Sequence, residues 1–68
     1  MTKEAIRNEI DRRLAAVEAN EEGYYFINQA ALATEIVQQF PNVVSKEEAF
    51  NFIRQKCFEL GIGDRPGL

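Results

Sequence analysis

The stretch from Ser45 to Gly61, SKEEAFNFIRQKCFELG, carries the strongest structural signal in the chain. Ser45 and Glu48 have the Ser-x-x-Glu spacing of a capping box, in which the serine side chain accepts a hydrogen bond from the backbone N–H three residues on. Gly61 is the left-handed residue that commonly ends a helix. The stretch therefore predicts a capped helix with one apolar face at helical spacing, formed by Ala49, Phe50, Ile53, Cys57 and Leu60.

Residues 28–40 predict a second helix immediately before this one. Asn28 is a suitable N-cap, and Pro41 ends the helix because the residue before a proline is disfavoured in the α region. The apolar residues cover about 160° of a helical wheel, which indicates burial against two neighbours. We therefore place this helix in the middle of the packing. Its apolar residues are Ala30, Leu32, Ala33, Ile36, Val37 and Phe40.

Residues 2–20 predict a first helix, with Thr2 as its N-cap. Its apolar residues span only about 80° of the wheel, which is narrow for a helix that faces a core. The pattern favours a helix that packs on the outside of the domain along one seam, although the same seam could pair with a second copy of the chain. The residues of the seam are Ile6, Ile10, Leu14 and Val17.

Two further segments lie outside the three predicted helices, one before the second helix and one at the C-terminus. Tyr24 to Ile27 has high strand propensity, and its only evident partner is Asn42 to Val44. An extended linker whose rings cover the core explains the same residues without a sheet. After residue 62 the chain has two glycines and a proline and no periodicity, which predicts a flexible C-terminal tail over residues 63–68.

These elements predict an all-α fold, a small three-helix domain over residues 1–62 with a helix-turn-helix-like arrangement of the second and third helices. The alternative is a small winged-helix-like α+β domain that uses Tyr24 to Ile27 as a strand.

Composition narrows the classes of function. The chain has 68 residues, no histidine, a single cysteine and a formal net charge of −3. Without histidine, the common nucleophile pairs and nearly all zinc sites are absent, so we expect no enzyme activity, no metal and no cofactor. Cys57 on an apolar helix face is expected to be a small buried hydrophobe. No segment is apolar over the length that a membrane-spanning helix requires. We therefore expect no membrane partner and a cytoplasmic location.

Phe58 is the residue that fits the predicted core least well. It lies about 80–100° from the nearest core positions on the wheel, beside Glu47, Asn51 and Arg54. An exposed phenylalanine next to an arginine is typical of a protein-binding anchor. These four residues predict a non-enzymatic interaction or regulatory module that binds another protein or itself. In the alternative arrangement Ile62 or Leu68 covers the ring.

Binding to DNA is the second functional hypothesis, because the third helix would occupy the place of a recognition helix. Asn51, Arg54 and Gln55 are suitable base readers. Against this, Glu47 and Glu48 would lie nearest the phosphates. The connection between the two helices is longer than the usual turn of 3–4 residues and has no glycine. A transcriptional regulator of this kind would need phosphate contacts from cations elsewhere, namely Arg7, Arg12, Arg13 and Arg65.

Overall fold

The computed structural model describes residues 3–68 and has three helices and two short strands. In chain order these are α1 (Lys3–Ala15), β1 (Tyr25–Ile27), α2 (Gln29–Gln39), α3 (Lys46–Leu60) and β2 (Ile62–Asp64). The predicted small, mostly helical domain is confirmed. The predicted N-cap Thr2 lies outside the described residues.

Helix α3 begins and ends at the residues that the capping signals indicate. The Oγ atom of Ser45 accepts a hydrogen bond from the backbone N–H of Glu48 at 3.1 Å. Gly61 follows the last turn with φ of 74°, and its N–H bonds back to the final carbonyls of the helix. These contacts satisfy backbone groups that a helix end otherwise leaves without partners, which fixes both ends of α3.

Helix α2 also has the predicted cap. The side chain of Asn28 accepts a hydrogen bond from the N–H of Ala31 at 3.0 Å, and Phe40 is the C-cap directly before Pro41. Residues 40–45 connect α2 to α3, and Asn42 supplies the left-handed turn residue with φ of 65°. Asparagine tolerates this conformation better than most residues, so the connection needs no glycine.

The core lies between α2 and α3 and is closed by α1. Ala33 of α2 and Ala49 of α3 are completely buried in this core. Ile6, Ile10 and Leu14 of α1 are 0–3% exposed, so the narrow apolar seam of α1 is used within one chain. The other core residues are Leu32, Ile36, Phe40, Val44, Ile53, Cys57 and Ile62.

The first helix ends earlier than predicted, at Ala15 and not at residue 20. The loop that follows is organised by Asn20, whose side-chain Oδ1 accepts hydrogen bonds from the backbone N–H groups of Glu22 and Tyr24, each at 3.0 Å. The N–H of Asn20 also donates to the carbonyl of Tyr24 at 2.7 Å. Asparagine often competes with the helix in this way through local hydrogen bonds to the backbone.

A two-stranded parallel sheet is the main correction to the predicted all-α fold. β1 pairs with β2 in the register Tyr25 to Ile62, Phe26 to Gly63 and Ile27 to Asp64. The suggested strand partner, Asn42 to Val44, was wrong. The predicted domain boundary at residue 62 falls inside β2, and the N–H of Arg65 donates to the carbonyl of Ile27 at 2.9 Å. The flexibility expected of residues 63–68 stays a prediction.

The outer face of the sheet requires a glycine at position 63. A methyl group on Gly63 would lie 2.8 Å from Cδ1 and Cε1 of the Phe26 ring, which is too close for either group to stay in place. On the same side, the guanidinium carbon of Arg65 lies 4.6 Å from the centre of the Phe26 ring. The absence of a side chain at Gly63 therefore leaves the space that the Phe26 ring occupies.

We expect Gly63→Ala to lower the free energy of unfolding by about 1–3 kcal/mol, because the added methyl group displaces the Phe26 ring. Urea unfolding followed by circular dichroism measures the change. In a Phe26→Ala background the same substitution should cost much less, since the ring is gone. An equal cost in both backgrounds would show that the clash with Phe26 is not the cause.

The outer surface of α1 holds an ion-pair network that reaches α2. Glu9, whose side chain is 11% exposed, accepts hydrogen bonds from Arg12 at 2.6 and 2.9 Å and from Arg13 at 3.0 Å. Arg13 in turn contacts Glu35 and Gln39 of α2. The hydrogen bonds from Arg12 and then Arg13 lower the pKa of Glu9 from its ordinary 4.5 to about 2.

This pKa predicts a specific pH dependence of stability. Because the folded state lowers the pKa of Glu9, the stabilisation is complete above pH 4.5 and is lost as the pH falls towards 2. Between pH 4.5 and 2, the unfolding free energy of Glu9→Gln should therefore decrease less with falling pH than that of the wild type. Urea unfolding at a series of pH values tests this, with Glu22→Gln in the loop as the control for loss of a carboxylate. If the Glu9→Gln and wild-type curves are parallel, the network has no such role.

Candidate functional site

Four exposed residues of α3 form a single stripe along the helix. Glu47, Asn51, Arg54 and Phe58 follow one another at intervals of four, three and four residues, which places them within about 60° of the helical wheel. We call these four residues the α3 stripe. All four are exposed, so the structure brings the predicted partner-binding residues together on one surface.

Phe58 is the most exposed of the large hydrophobic residues, with 89% of its surface accessible. The opposite face of α3 is occupied, since Ala49, Ile53 and Cys57 are buried in the core. Ile62 is also in the core, and Leu68 is itself 66% exposed. The alternative in which Ile62 or Leu68 covers Phe58 is therefore wrong, and the ring faces solvent.

An open groove of about 700 Å³ runs beside the stripe, between α3, the start of α2 and β2. Asn51, Arg54 and Phe58 line it, whereas Glu47 lies beyond its end. The other lining residues are Gln29, Phe50, Gln55, Ile62 and Asp64. The sequence did not predict this groove, because its far wall comes from β2, and two of the three residues of β2 were assigned to the tail.

Asp64 connects this wall to the start of α2. Its Oδ1 atom accepts a hydrogen bond from the backbone N–H of Gln29 at 3.1 Å. This N–H belongs to the first turn of α2 and has no partner within the helix. The negative charge is also favourable at a helix N-terminus. No local pattern predicts the contact, since the two residues are 35 positions apart.

The single cysteine lies in the core and is not among the residues that line the groove. Cys57 is 1% exposed, and burial raises the pKa of its thiol. A hydrogen bond with the Gln29 side chain lowers this pKa, and the negative charge of Asp64 raises it further. The thiol is thus kept in its neutral form. This agrees with the predicted small buried hydrophobe and gives the groove no nucleophile.

The two charges of the stripe are unpaired. Within residues 3–68, neither Glu47 nor Arg54 makes an ion pair, although five other pairs of carboxylate and cation do. The guanidinium carbon of Arg54 lies 5.9 Å from the centre of the Phe50 ring, an arrangement that holds the cation against an aromatic surface. Both charges are therefore available to a binding partner.

Other chemistry has less support in the described part of the chain. No group of three metal-binding side chains occurs among residues 3–68, and none of the described helices is long and apolar enough to cross a bilayer. The cytoplasmic location stays a prediction.

The four cations that DNA binding would require do not gather on one surface of α3. Arg12 and Arg13 are bound to Glu9, and Arg65 lies on the Phe26 ring. Arg7 lies over Phe52, on the other flank of α3 from the groove. The DNA-binding alternative stays a prediction.

Comparisons of this chain with known protein families, with curated protein sequences and with solved structures found no match. Its function has to be inferred from its own surface.

The contact between Asp64 and α2 predicts how the groove wall is held. Asp64→Ala should lower the free energy of unfolding by about 1 kcal/mol, because the N–H of Gln29 loses its acceptor. Asp64→Asn keeps an acceptor oxygen and should lose only a few tenths of a kcal/mol from the helix dipole. Urea unfolding of the three proteins gives the comparison. Equal losses in the two variants would mean that charge, and not the hydrogen bond, carries the contact.

Proposed function

We propose that this protein is a small, non-enzymatic protein–protein interaction or regulatory module that binds its partner through the α3 stripe. The observation that carries the proposal is the 89% exposure of Phe58 on a well-capped helix, next to the unpaired guanidinium of Arg54. Aromatic residues and arginine are the residue types most enriched at the energetic centre of protein interfaces.

The energetics favour a partner that covers the ring. Removing a phenylalanine side chain from water is worth about 1.5–3 kcal/mol, and the chain leaves this stabilisation unused at Phe58. A single exposed hydrophobic residue is common on protein surfaces. Here, however, the ring stands at the edge of a groove that also contains the polar groups of Asn51, Arg54 and Gln55. An apolar anchor surrounded by groups that can form directed hydrogen bonds gives both affinity and orientation.

The groove and the stripe contain no pair of groups suited to catalysis. Cys57 is buried with a raised pKa, and the nearby carboxylate of Asp64 is engaged with the backbone of α2. The remaining side chains of the stripe are exposed, and their charged, amide and aromatic groups are suited to binding a partner. Binding is therefore the role that the surface supports best.

Site-specific photo-crosslinking tests the proposal. Phe58→p-benzoylphenylalanine places a photoreactive group on the stripe, and Leu60→p-benzoylphenylalanine places it two residues away on another face of α3, at a residue that is 52% exposed. After irradiation in cells of the natural source, we expect protein adducts from position 58 and few from position 60. Arg54→Ala should reduce the adducts at position 58.

The contrary results are equally clear. Similar adducts from positions 58 and 60 would mean that the photoreactive group reports random collision, and the stripe would not be a binding surface. No protein adduct from position 58 would also overturn the proposal. Mass spectrometry of the adducts separates a second copy of this chain from any other protein.

A further inference from the structure

The spacing of the α3 stripe resembles the seam along which two helices pair. Intervals of four, three and four residues are those of alternating a and d positions in a heptad repeat. Glu47, Asn51, Arg54 and Phe58 continue this pattern through most of the 15 residues of α3. A straight helix is therefore a suitable partner for the stripe, and α3 of a second copy is such a helix.

The charges of the stripe complement one another when two copies meet in antiparallel orientation. Glu47 and Arg54 are seven residues apart, which is about 10 Å along the helix axis. A two-fold axis between them brings the Glu47 end of each helix beside the Arg54 end of the other, so both unpaired charges gain a partner. In a parallel pair, Glu47 would meet Glu47 and Arg54 would meet Arg54, which is unfavourable.

The apolar residues are placed in a compatible way. An axis midway between Glu47 and Arg54 places Phe58 of each copy level with residue 43 of the other, in the connection just before α3 begins. Val43 in this connection is a partly buried hydrophobic residue at the edge of the core. The exposed ring of each copy is therefore carried towards an apolar residue of the other, and the two-fold axis repeats the contact.

We infer that the α3 stripe binds a second copy of this chain, with the two α3 helices antiparallel, Arg54 of each paired with Glu47 of the other, and Phe58 of each lying against the connection that precedes α3 in the other. This inference rests on the proposed function, because it names the partner of the same surface. The seam of α1 offers no competing interface, since Ile6, Ile10 and Leu14 are buried within the chain.

The dimer is expected to be weak and to depend on concentration. Helix α3 is about 22 Å long, and one pair of such helices buries less surface than a stable interface of standard size. Two exposed charge pairs contribute only modestly, and salt screens them. Association should therefore weaken as salt is added, which sets the conditions for the experiment.

Sedimentation equilibrium over a range of protein concentrations at low salt tests the inference by charge reversal. We expect Glu47→Arg and Arg54→Glu each to weaken self-association about tenfold, because each gives the stripe charges of one sign. The double variant Glu47→Arg/Arg54→Glu should associate within about threefold of the wild type, since it exchanges the two charges. An equimolar mixture of the two single variants should associate as heterodimers, because one stripe is acidic and the other basic.

Two further variants serve as controls. Phe58→Ala should also weaken association about tenfold. Because the side chain is exposed, the substitution should leave the fold intact, and far-ultraviolet circular dichroism checks this. Arg7→Glu removes a cation that lies 5.1 Å from the centre of the Phe52 ring, on the other flank of α3. It is therefore matched to Arg54→Glu in chemistry but lies off the stripe, and it should leave association within about twofold of the wild type.

Several results would overturn the inference. These are a wild type that stays monomeric at the highest concentration, single reversals without effect, or a double variant that does not recover association. A monomeric wild type that still gives Phe58 adducts to a different protein would keep the proposed function and reject the second copy as its partner. A monomer without adducts would reject both.

Discussion

The packing of α2 against α3 is the interaction on which the other features depend. Ala33 and Ile36 of α2 and Ala49 and Ile53 of α3 are all fully buried in one core. The caps at Asn28, Ser45 and Gly61 fix where the helices start and end. After α3 ends at Gly61, the chain runs back towards the start of α2, and there β2 pairs with β1. The groove beside the stripe is the space left between these elements.

The parts of the fold that could be predicted are those determined by local sequence. A capping box, a left-handed glycine and a proline act within a few residues, so α2 and α3 were predicted within about one residue at each end. The sheet could not be predicted in this way. Ile-Gly-Asp has low strand propensity, and these residues become a strand only because β1 is beside them in space. The end of α1 was misplaced because the chain passes after Ala15 into tighter turns, with Ala16 bonded to Arg13 and Val17 to Leu14, and Asn20 then organises a loop.

The candidate site shows the same division between local and distant information. The wheel places Phe58 away from the core from sequence alone, and its exposure in the structure agrees with that position. Predicting the groove would have required knowing that Gln29 of α2 lies close to Ile62 and Asp64 of β2, more than 30 residues away in the sequence. Asp64 in particular looked like one more polar residue of a tail. Its contact with the backbone of Gln29 depends on a parallel pairing that no local pattern encodes.

The parallel sheet has a consequence for how binding and folding are coupled. Ile62 and Asp64 belong both to the pairing with β1 and to the wall of the groove. A molecule that contacts this wall therefore binds only the form of the chain in which β2 is paired. By thermodynamic linkage, whatever occupies the groove must strengthen the pairing of the strands by the same free energy with which the pairing favours its binding. Strand β2 therefore couples two processes: binding in the groove beside α3, and pairing of β2 with β1.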